Sequence, residues 1–170
     1  DPKLGISPRA LMKRVYESAV SYARTFSTAS ESLLFMGATG LGKTLLSGCI
    51  ARAVADRGYS VCYVSAGKLF SDFETEKFRL KEDGALTGEY METDLLIIDD
   101  LGTEMTTQFT VSVLYQLLNT RLMEKKPVIL STNLTPGELA SRYSPQIASR
   151  ILGTYRLCQF CGDDIRFKIK

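Results

Sequence analysis

Short apolar runs alternate with longer amphipathic stretches along this chain of 170 residues. The runs at Leu33–Met36 and at residues 95–98 are too short for helices and are typical of strands buried on both faces. Similar runs predict further strands, including one or two terminal ones, at residues 60–65, 127–131, 155–160 and 165–169.

The stretches between the strands have the periodicity of helices. In residues 44–57 the apolar positions follow one helix face: Leu45, Leu46, Cys49, Ile50, Ala53 and Val54. The same spacing predicts helices at residues 9–26, 68–81, 108–124 and 145–152, and a short helix near Pro136. Residues 83–88 are polar and contain glycines, so we expect a break there.

Strands that alternate with helices predict an α/β fold with a mostly parallel sheet covered on both faces. The length suits one domain with its own core. We therefore expect a single domain over residues 1–170, in which residues 1–30 form an N-terminal helix and a linker. Ser7 followed by Pro8 predicts the start of that helix.

Charges are nearly balanced, with 21 basic and 19 acidic residues and a net charge of +2. This neither favours nor excludes a nucleic-acid partner, because a local basic patch is compatible with a balanced total. No apolar run approaches the roughly 20 residues that span a bilayer, and no signal peptide is evident. We expect a cytoplasmic protein without a membrane partner.

Four cysteines and no histidine are present. Cys158 and Cys161 have C-x-x-C spacing, but they lie in a predicted strand, whereas redox pairs usually open a helix. Cys49 and Cys62 fall in apolar patterns, where a free cysteine usually acts as a small core side chain. The pattern favours free thiols in a reducing cytosol over a zinc or dithiol site.

Residues 37–44, Gly-Ala-Thr-Gly-Leu-Gly-Lys-Thr, fit the phosphate-binding pattern G-x-x-x-x-G-K-[ST], or Walker A. Glycines let the backbone point successive N–H groups at phosphate oxygens, and the following helix adds its positive dipole end. Lys43 would reach the β- and γ-phosphates, and the Thr44 hydroxyl would bind Mg²⁺. The expected nucleotide-binding residues are Gly37, Ala38, Thr39, Gly40, Leu41, Gly42, Lys43, Thr44 and Leu45.

Two carboxylates, Asp99 and Asp100, follow the apolar run at residues 95–98. Open α/β sheets place ligands at this end of their strands. Asp99 would hold Mg²⁺ through water, opposite Thr44, and Asp100 would orient or deprotonate an attacking water. The two carboxylates could instead form an acidic turn after a strand with no catalytic role. The phosphate loop upstream favours the catalytic interpretation.

Asn133 follows the predicted strand at residues 127–131. If that strand lies beside the first strand, the Asn133 amide would stand between the γ-phosphate and the acidic pair. There it can hold the lytic water or sense the γ-phosphate without adding charge. Because asparagine is also a common turn residue at such a position, the residue alone leaves both interpretations open.

Three segments together resemble AAA+ ATPases: residues 37–44, residues 95–104 and residues 131–139. The resemblance is closest to bacterial replicative helicase loaders of the DnaC/DnaI type and to their relatives, the IstB-like transposition ATPases. Its most specific part is Asp-Asp-Leu-Gly-x-Glu at residues 99–104, because most AAA+ proteins have Asp-Glu there. It implies a three-layer αβα P-loop NTPase without a helical lid domain, and a five-stranded parallel sheet in the order 5-1-4-3-2.

The resemblance also assigns residues by position. Asn133 matches sensor 1, Arg150 matches an arginine finger that would reach the γ-phosphate held by a neighbouring subunit, and Arg166 matches sensor 2. Either arginine is otherwise a surface charge or an ion pair. The expected catalytic residues are Lys43, Asp100, Asn133 and Arg150, with ATP as the nucleotide and Mg²⁺ held by Thr44 and Asp99.

The family resemblance further implies ATP hydrolysis, self-association into a ring or helical oligomer, and action on a replicative helicase and single-stranded DNA. The chain begins with Asp1, so we expect a fragment that lacks an N-terminal helicase-binding domain. Candidate DNA-contacting residues are Arg52, Arg57, Lys68, Lys77, Arg79 and Lys81. Phe70, Phe73 and Phe78 lie nearby, and their helical spacing favours core packing over base stacking.

Three other functions fit the same motifs. The ATPase could deliver a transposase to target DNA, which the identity of the partner would decide. A P-loop kinase would transfer phosphate to a small acceptor, although the acidic pair suits water activation better. A nucleotide-gated binding module would hydrolyse little ATP, and turnover measured with and without single-stranded DNA would reveal it.

Overall fold

The computed structural model describes residues 7–78 and 85–164. Five strands form one sheet: β1 Leu33–Met36, β2 Val61–Ser65, β3 Leu95–Leu101, β4 Val128–Thr132 and β5 Arg156–Gln159. Their order across the sheet is β2-β3-β4-β1-β5, and every neighbouring pair is parallel. The predicted order 5-1-4-3-2 is therefore confirmed.

Helices connect the strands: α1 Pro8–Thr25, α2 Lys43–Ala55, α3 Ala66–Phe78, α4 Ala85–Glu92, α5 Gln108–Met123, α6 Pro136–Arg142 and α7 Pro145–Thr154. Hydroxyl side chains begin four of them, because Ser7, Thr107, Thr135 and Ser144 each accept a backbone N–H from the first turn. Within the described residues, no helix is long and apolar enough to cross a membrane.

Alternate residues of each strand face opposite sides of the sheet. On one side, Leu33 and Ile97 pack with α1 and α2. On the other side, Leu34, Leu96 and Ile98 pack with α3, α5 and α7. The sheet is thus covered on both faces, and the predicted three-layer arrangement is confirmed.

The break predicted at residues 83–88 is wrong from Ala85 onward, because α4 begins there and includes Gly88; residues 83 and 84 lie outside the described residues. Tertiary contacts stabilise this helix. The buried Tyr90 hydroxyl donates to Asp72 Oδ2 at 2.6 Å, and the Arg121 guanidinium caps the carbonyl of Tyr90. These contacts outweigh the low helix propensity of one glycine, which costs only about 1 kcal/mol relative to alanine.

The α2 face also differs from the prediction. Leu45 is 68% exposed and Cys49 is exposed, whereas Cys62 and Phe70 are buried as predicted. Leu45 is exposed because the first turn of α2 faces a cleft rather than the core. The predicted strand at residues 165–169 lies outside the described residues.

Candidate nucleotide-binding site

The phosphate loop joins β1 to α2 and ends at Gly42, the N-cap of α2. Gly40 has φ 78° and Gly42 has φ 91°, a backbone region that favours glycine. Among the described residues, no side chain caps the first turn of α2. The helix itself supplies no acceptor for its first N–H groups, and a helix start of this kind favours an anion; the Asp164 carboxylate lies beside Gly40 of the loop.

Lys43 is nearly buried in this loop, with 6% of the residue exposed. Its Nζ donates to the carbonyl oxygens of Gly37 at 2.6 Å and of Ala38 at 2.8 Å. Burial lowers the pKa of Lys43, and the carboxylates of Asp100 and Asp99 partly oppose that effect. A phosphate oxygen entering the loop would replace the two carbonyls as the partner of the ammonium group.

Asp99 lies at the end of β3 and is only 5% exposed. Its carboxylate accepts hydrogen bonds from the hydroxyls of Tyr63, at 2.7 Å, and Ser131. The Ser131 Oγ also accepts the backbone N–H of Asp100 at 3.0 Å. A buried carboxylate needs such donors, and they fix its orientation toward the phosphate loop.

Tyr63 connects this carboxylate to α2. Its hydroxyl lies 3.2 Å from Ser47 Oγ and 3.5 Å from the carbonyl oxygen of Thr44. Burial raises the pKa of Tyr63, and the nearby Asp99 carboxylate adds to that rise. One hydroxyl therefore bridges Thr44 and Asp99, the two residues predicted to hold Mg²⁺.

A cleft of about 530 Å³ opens above these residues. Its lining is Thr39, Gly40, Gly42, Lys43, Thr44, Leu45, Asp100, Thr103 and Asn133. Asn133 reaches the cleft because β4 pairs with β1, so its strand ends beside the phosphate loop. The volume falls within the range of about 300–1,000 Å³ typical of small-molecule sites.

The donor set suits Mg²⁺. This ion usually takes one or two carboxylates and fills its other positions with waters and substrate phosphates. The buried carboxylate of Asp99 and the exposed hydroxyl of Thr44 supply such a partial set. Thr44 lines the cleft itself, whereas Asp99 lies behind it.

Arg150 does not line this cleft. Arg150 lies on α7, where its guanidinium donates to Asn119 Oδ1 and lies 5.1 Å from the centroid of the Tyr115 ring. Its proposed action on a neighbouring subunit stays a prediction. Arg166 lies outside the described residues.

The four candidate DNA-contacting residues that the structure describes do not form one groove. Arg52 and Arg57 belong to the α2 side of the sheet, and Lys68 and Lys77 lie on α3 on the opposite side. Each makes a contact within the chain, with Asp56, Ala23, Asp72 and Phe109 respectively. Arg79 and Lys81 lie outside the described residues.

Sequence reasoning missed several site residues. Tyr63 and Ser131 hold Asp99, and Thr103 lines the cleft. The only sequence signal for Tyr63 is its place between Cys62 and Val64, where alternation turns it away from the core. Glu104 is the last residue of the Asp-Asp-Leu-Gly-x-Glu motif, and the sequence alone assigns it no role.

Comparisons with known proteins identify the family and the fold. Residues 11–162 match the family described as IstB-like ATP binding protein. A putative ATP-binding protein in an insertion sequence of Mycobacterium tuberculosis is 30% identical over 125 residues, which cover 73% of this chain and 49% of that protein. The replicative helicase loader DnaC of Escherichia coli is 25% identical over 154 residues, which cover 89% of this chain and 62% of DnaC. The chain thus spans less than two thirds of the length of either relative.

A solved structure of the replication initiator DnaA bound to AMPPCP and single-stranded DNA has the same fold. Its TM-score is 0.75 at 27% identity, and the match covers 91% of this chain and 48% of that chain. The resemblance inferred from the sequence, and the P-loop AAA+ fold that it implied, are confirmed.

Proposed function

The chain belongs to the IstB-like ATP binding protein family, and we propose that its domain binds ATP with Mg²⁺ and hydrolyses it. One observation carries this proposal: a single cleft gathers Lys43, Thr44, Asp100 and Asn133 from three separate parts of the chain. The AMPPCP complex of the DnaA neighbour supports a nucleoside triphosphate as the ligand.

Each residue has a role that its position allows. The N–H groups of the loop and the Lys43 ammonium bind the phosphates. Asp100, exposed at the mouth of the cleft, orients and deprotonates the attacking water, and Asn133 holds that water against the γ-phosphate. Thr44 and Asp99 would hold Mg²⁺, which supplies charge neutralisation on the phosphates.

We assign Arg150 to the nucleotide of an adjacent copy of the chain. Within its own chain the guanidinium contacts α5 rather than the cleft. A cation supplied by a neighbouring subunit would complete the site only in an assembly. The active form in this proposal is a ring or helical oligomer.

For the biological role, we propose that the ATP state controls loading of a replicative hexameric helicase onto single-stranded DNA in the cytoplasm. The similarity to DnaC over 89% of this chain supports this role. A second role is assistance to a transposase, and the insertion-sequence relative of Mycobacterium tuberculosis supports it. Binding of the full-length protein to each purified partner, with and without ATP, decides between the two.

The chemistry is tested with Lys43→Ala and a matched control, Lys13→Ala, whose side chain is exposed on α1. Loss of the charged donor should weaken ATP binding about 10- to 100-fold and abolish phosphate release, while the control behaves like wild type. Unchanged turnover in Lys43→Ala would refute the assignment. Phosphate transfer to an added nucleoside would instead indicate a kinase. If the wild type binds ATP but does not hydrolyse it, either with or without single-stranded DNA, the domain is a nucleotide-gated binding module.

A further inference from the structure

Glu104 lies just beyond the cleft, and its side chain is only 4% exposed. Its Oε2 accepts the backbone N–H of Gly102 at 2.9 Å, and its Oε1 accepts the hydroxyl of Tyr143. Arg142 donates to the backbone carbonyl of Glu104, and the Arg142 Nε lies 3.9 Å from Glu104 Oε1. We call Glu104, Arg142 and Tyr143 the carboxylate clamp.

One end of the clamp holds the Asp100 loop, by which we mean the irregular end of β3 from Asp100 and the turn that follows it up to Glu104. Asp100 has φ 55°, which for a residue other than glycine costs about 1–2 kcal/mol and must be held by its surroundings. The Ser131 hydroxyl holds the start of this loop at the Asp100 N–H. Glu104 holds its other end at Gly102, which has φ 108° and packs against Leu134.

The other end of the clamp holds the helices that lead to Arg150. Arg142 ends α6, Tyr143 follows it, and Ser144 caps α7, which carries Arg150. Tyr143 is buried in the same core cluster as Ile147 of α7. The clamp is therefore a direct contact between the Asp100 loop and the α6–α7 unit.

A carboxylate suits this arrangement because both of its oxygens accept. Three donors converge on its two oxygens: the Gly102 N–H, the Tyr143 hydroxyl and, at longer range, the Arg142 Nε. That Nε is buried and has no hydrogen-bond partner among the described residues, so a small shift of Glu104 would complete its bond. Because a buried ion pair adds little net stability, the clamp contributes mainly geometry.

We propose that Glu104 is a positioning residue for Asp100 and that it couples the nucleotide cleft to α6–α7. This inference rests on the proposed ATP hydrolysis. When ATP fills the cleft, the Asp100 loop and α7 respond together because the clamp joins them. Glu104 does not itself touch the nucleotide.

The test compares wild type, Glu104→Gln and the control Glu17→Gln, an exposed carboxylate on α1. A glutamine amide keeps one accepting oxygen for the Gly102 N–H, but its Nε2 forces the Tyr143 hydroxyl to turn from donor to acceptor, and the negative charge that faces Arg142 is lost. Misplacement of Asp100 should therefore lower kcat about 10- to 100-fold, whereas ATP affinity stays within about threefold because the phosphate loop is intact. In an Asp100→Asn background, Glu104→Gln should add no further loss, since the two residues act as one unit.

A second readout does not need turnover. ATP should slow amide hydrogen exchange in α7 of the wild type, and this response should vanish in Glu104→Gln and in Tyr143→Phe. If Glu104→Gln fails to fold, Tyr143→Phe decides through this exchange measurement.

The inference is overturned by any one of three results. These are a normal kcat in Glu104→Gln, additive losses of kcat in the double variant, and an intact exchange response of α7 in the clamp variants. Absence of turnover in the wild type would instead overturn the proposed function, and the exchange comparison would still decide on the clamp.

Discussion

Replacing Arg121 by methionine should strongly destabilise the fold without altering the nucleotide cleft. The guanidinium is fully buried and donates to the carbonyls of Tyr90 at 2.9 Å, Met91 at 3.2 Å, Thr93 at 3.1 Å and Pro127 at 2.9 Å. The Tyr90, Met91 and Thr93 carbonyls lie at the end of α4 and just before β3, where the helix supplies no further N–H donor. The Pro127 carbonyl, just before β4, also accepts the Leu96 N–H at 3.3 Å. The Arg121 side chain thus joins α4, β3 and β4 at the N-terminal ends of the strands, whereas the cleft lies at their C-terminal ends.

The magnitude follows from those four bonds. A hydrogen bond to a charged group contributes about 1.5–3 kcal/mol, and Arg121→Met removes every donor. Part of this loss is offset. Burial lowers the pKa of Arg121 to about 10 because removing the charged group from water is unfavourable, and the uncharged methionine avoids that desolvation cost. Each buried carbonyl left without a donor costs about 1–3 kcal/mol, so after the offset we expect a net loss of about 3–5 kcal/mol, a large share of a total stability of about 5–15 kcal/mol.

Urea unfolding followed by circular dichroism measures this loss. For a domain of this size the midpoint of thermal unfolding should fall by about 6–20 °C. Arg14→Met, the same change at an exposed position of α1, is the control and should shift stability by less than about 0.5 kcal/mol. A loss below about 1 kcal/mol for Arg121→Met would refute the reasoning, as would weaker ATP binding by the folded fraction.

Two further predictions concern the metal and the neighbouring subunit. Asp99→Asn should lower Mg²⁺-dependent turnover by at least about 100-fold, because a neutral amide is a poor Mg²⁺ ligand. A phosphate-release assay across Mg²⁺ concentrations measures this change. A variant with the Mg²⁺ dependence of the wild type would contradict the prediction. Arg150→Ala should bind ATP as wild type does but lose about 1,000-fold in assembly-stimulated hydrolysis; normal stimulation in a titration of protein concentration would reject its role.

Local sequence signals predicted most of the residues that line the candidate cleft, and the binding of a nucleotide there stays a prediction. The glycines of residues 37–44 and the apolar run before Asp99 fix their own backbone positions, because both signals act within a few residues. Asn133 enters the cleft only because β4 lies next to β1, and that strand order came from the family resemblance.

Contacts between distant parts of the chain were not predictable. The Tyr63 hydroxyl meets a carboxylate 36 residues away, and Tyr143 meets Glu104 from 39 residues away. Helix α4 forms at residues where local propensity favours a break, since Arg121 caps its end from 31 residues away. Such contacts depend on the assembled sheet, and neither periodicity nor composition encodes them.

The contacts of Arg150 bear on when the proposed site can act. Its bond to Asn119 and its position over the Tyr115 ring together stabilise the docked guanidinium by about 1–3 kcal/mol, at the low end because the site is half-buried. The released side chain is then populated at between about 1 in 5 and 1 in 200. In the proposed assembly, a neighbouring γ-phosphate would have to supply that energy before Arg150 could reach it. Arg150 lies on α7, and Glu104 contacts Arg142 and Tyr143 at the end of α6. An ATP-bearing neighbour would therefore have to rearrange the α6–α7 unit, and under this proposal hydrolysis would depend on assembly rather than on ATP alone.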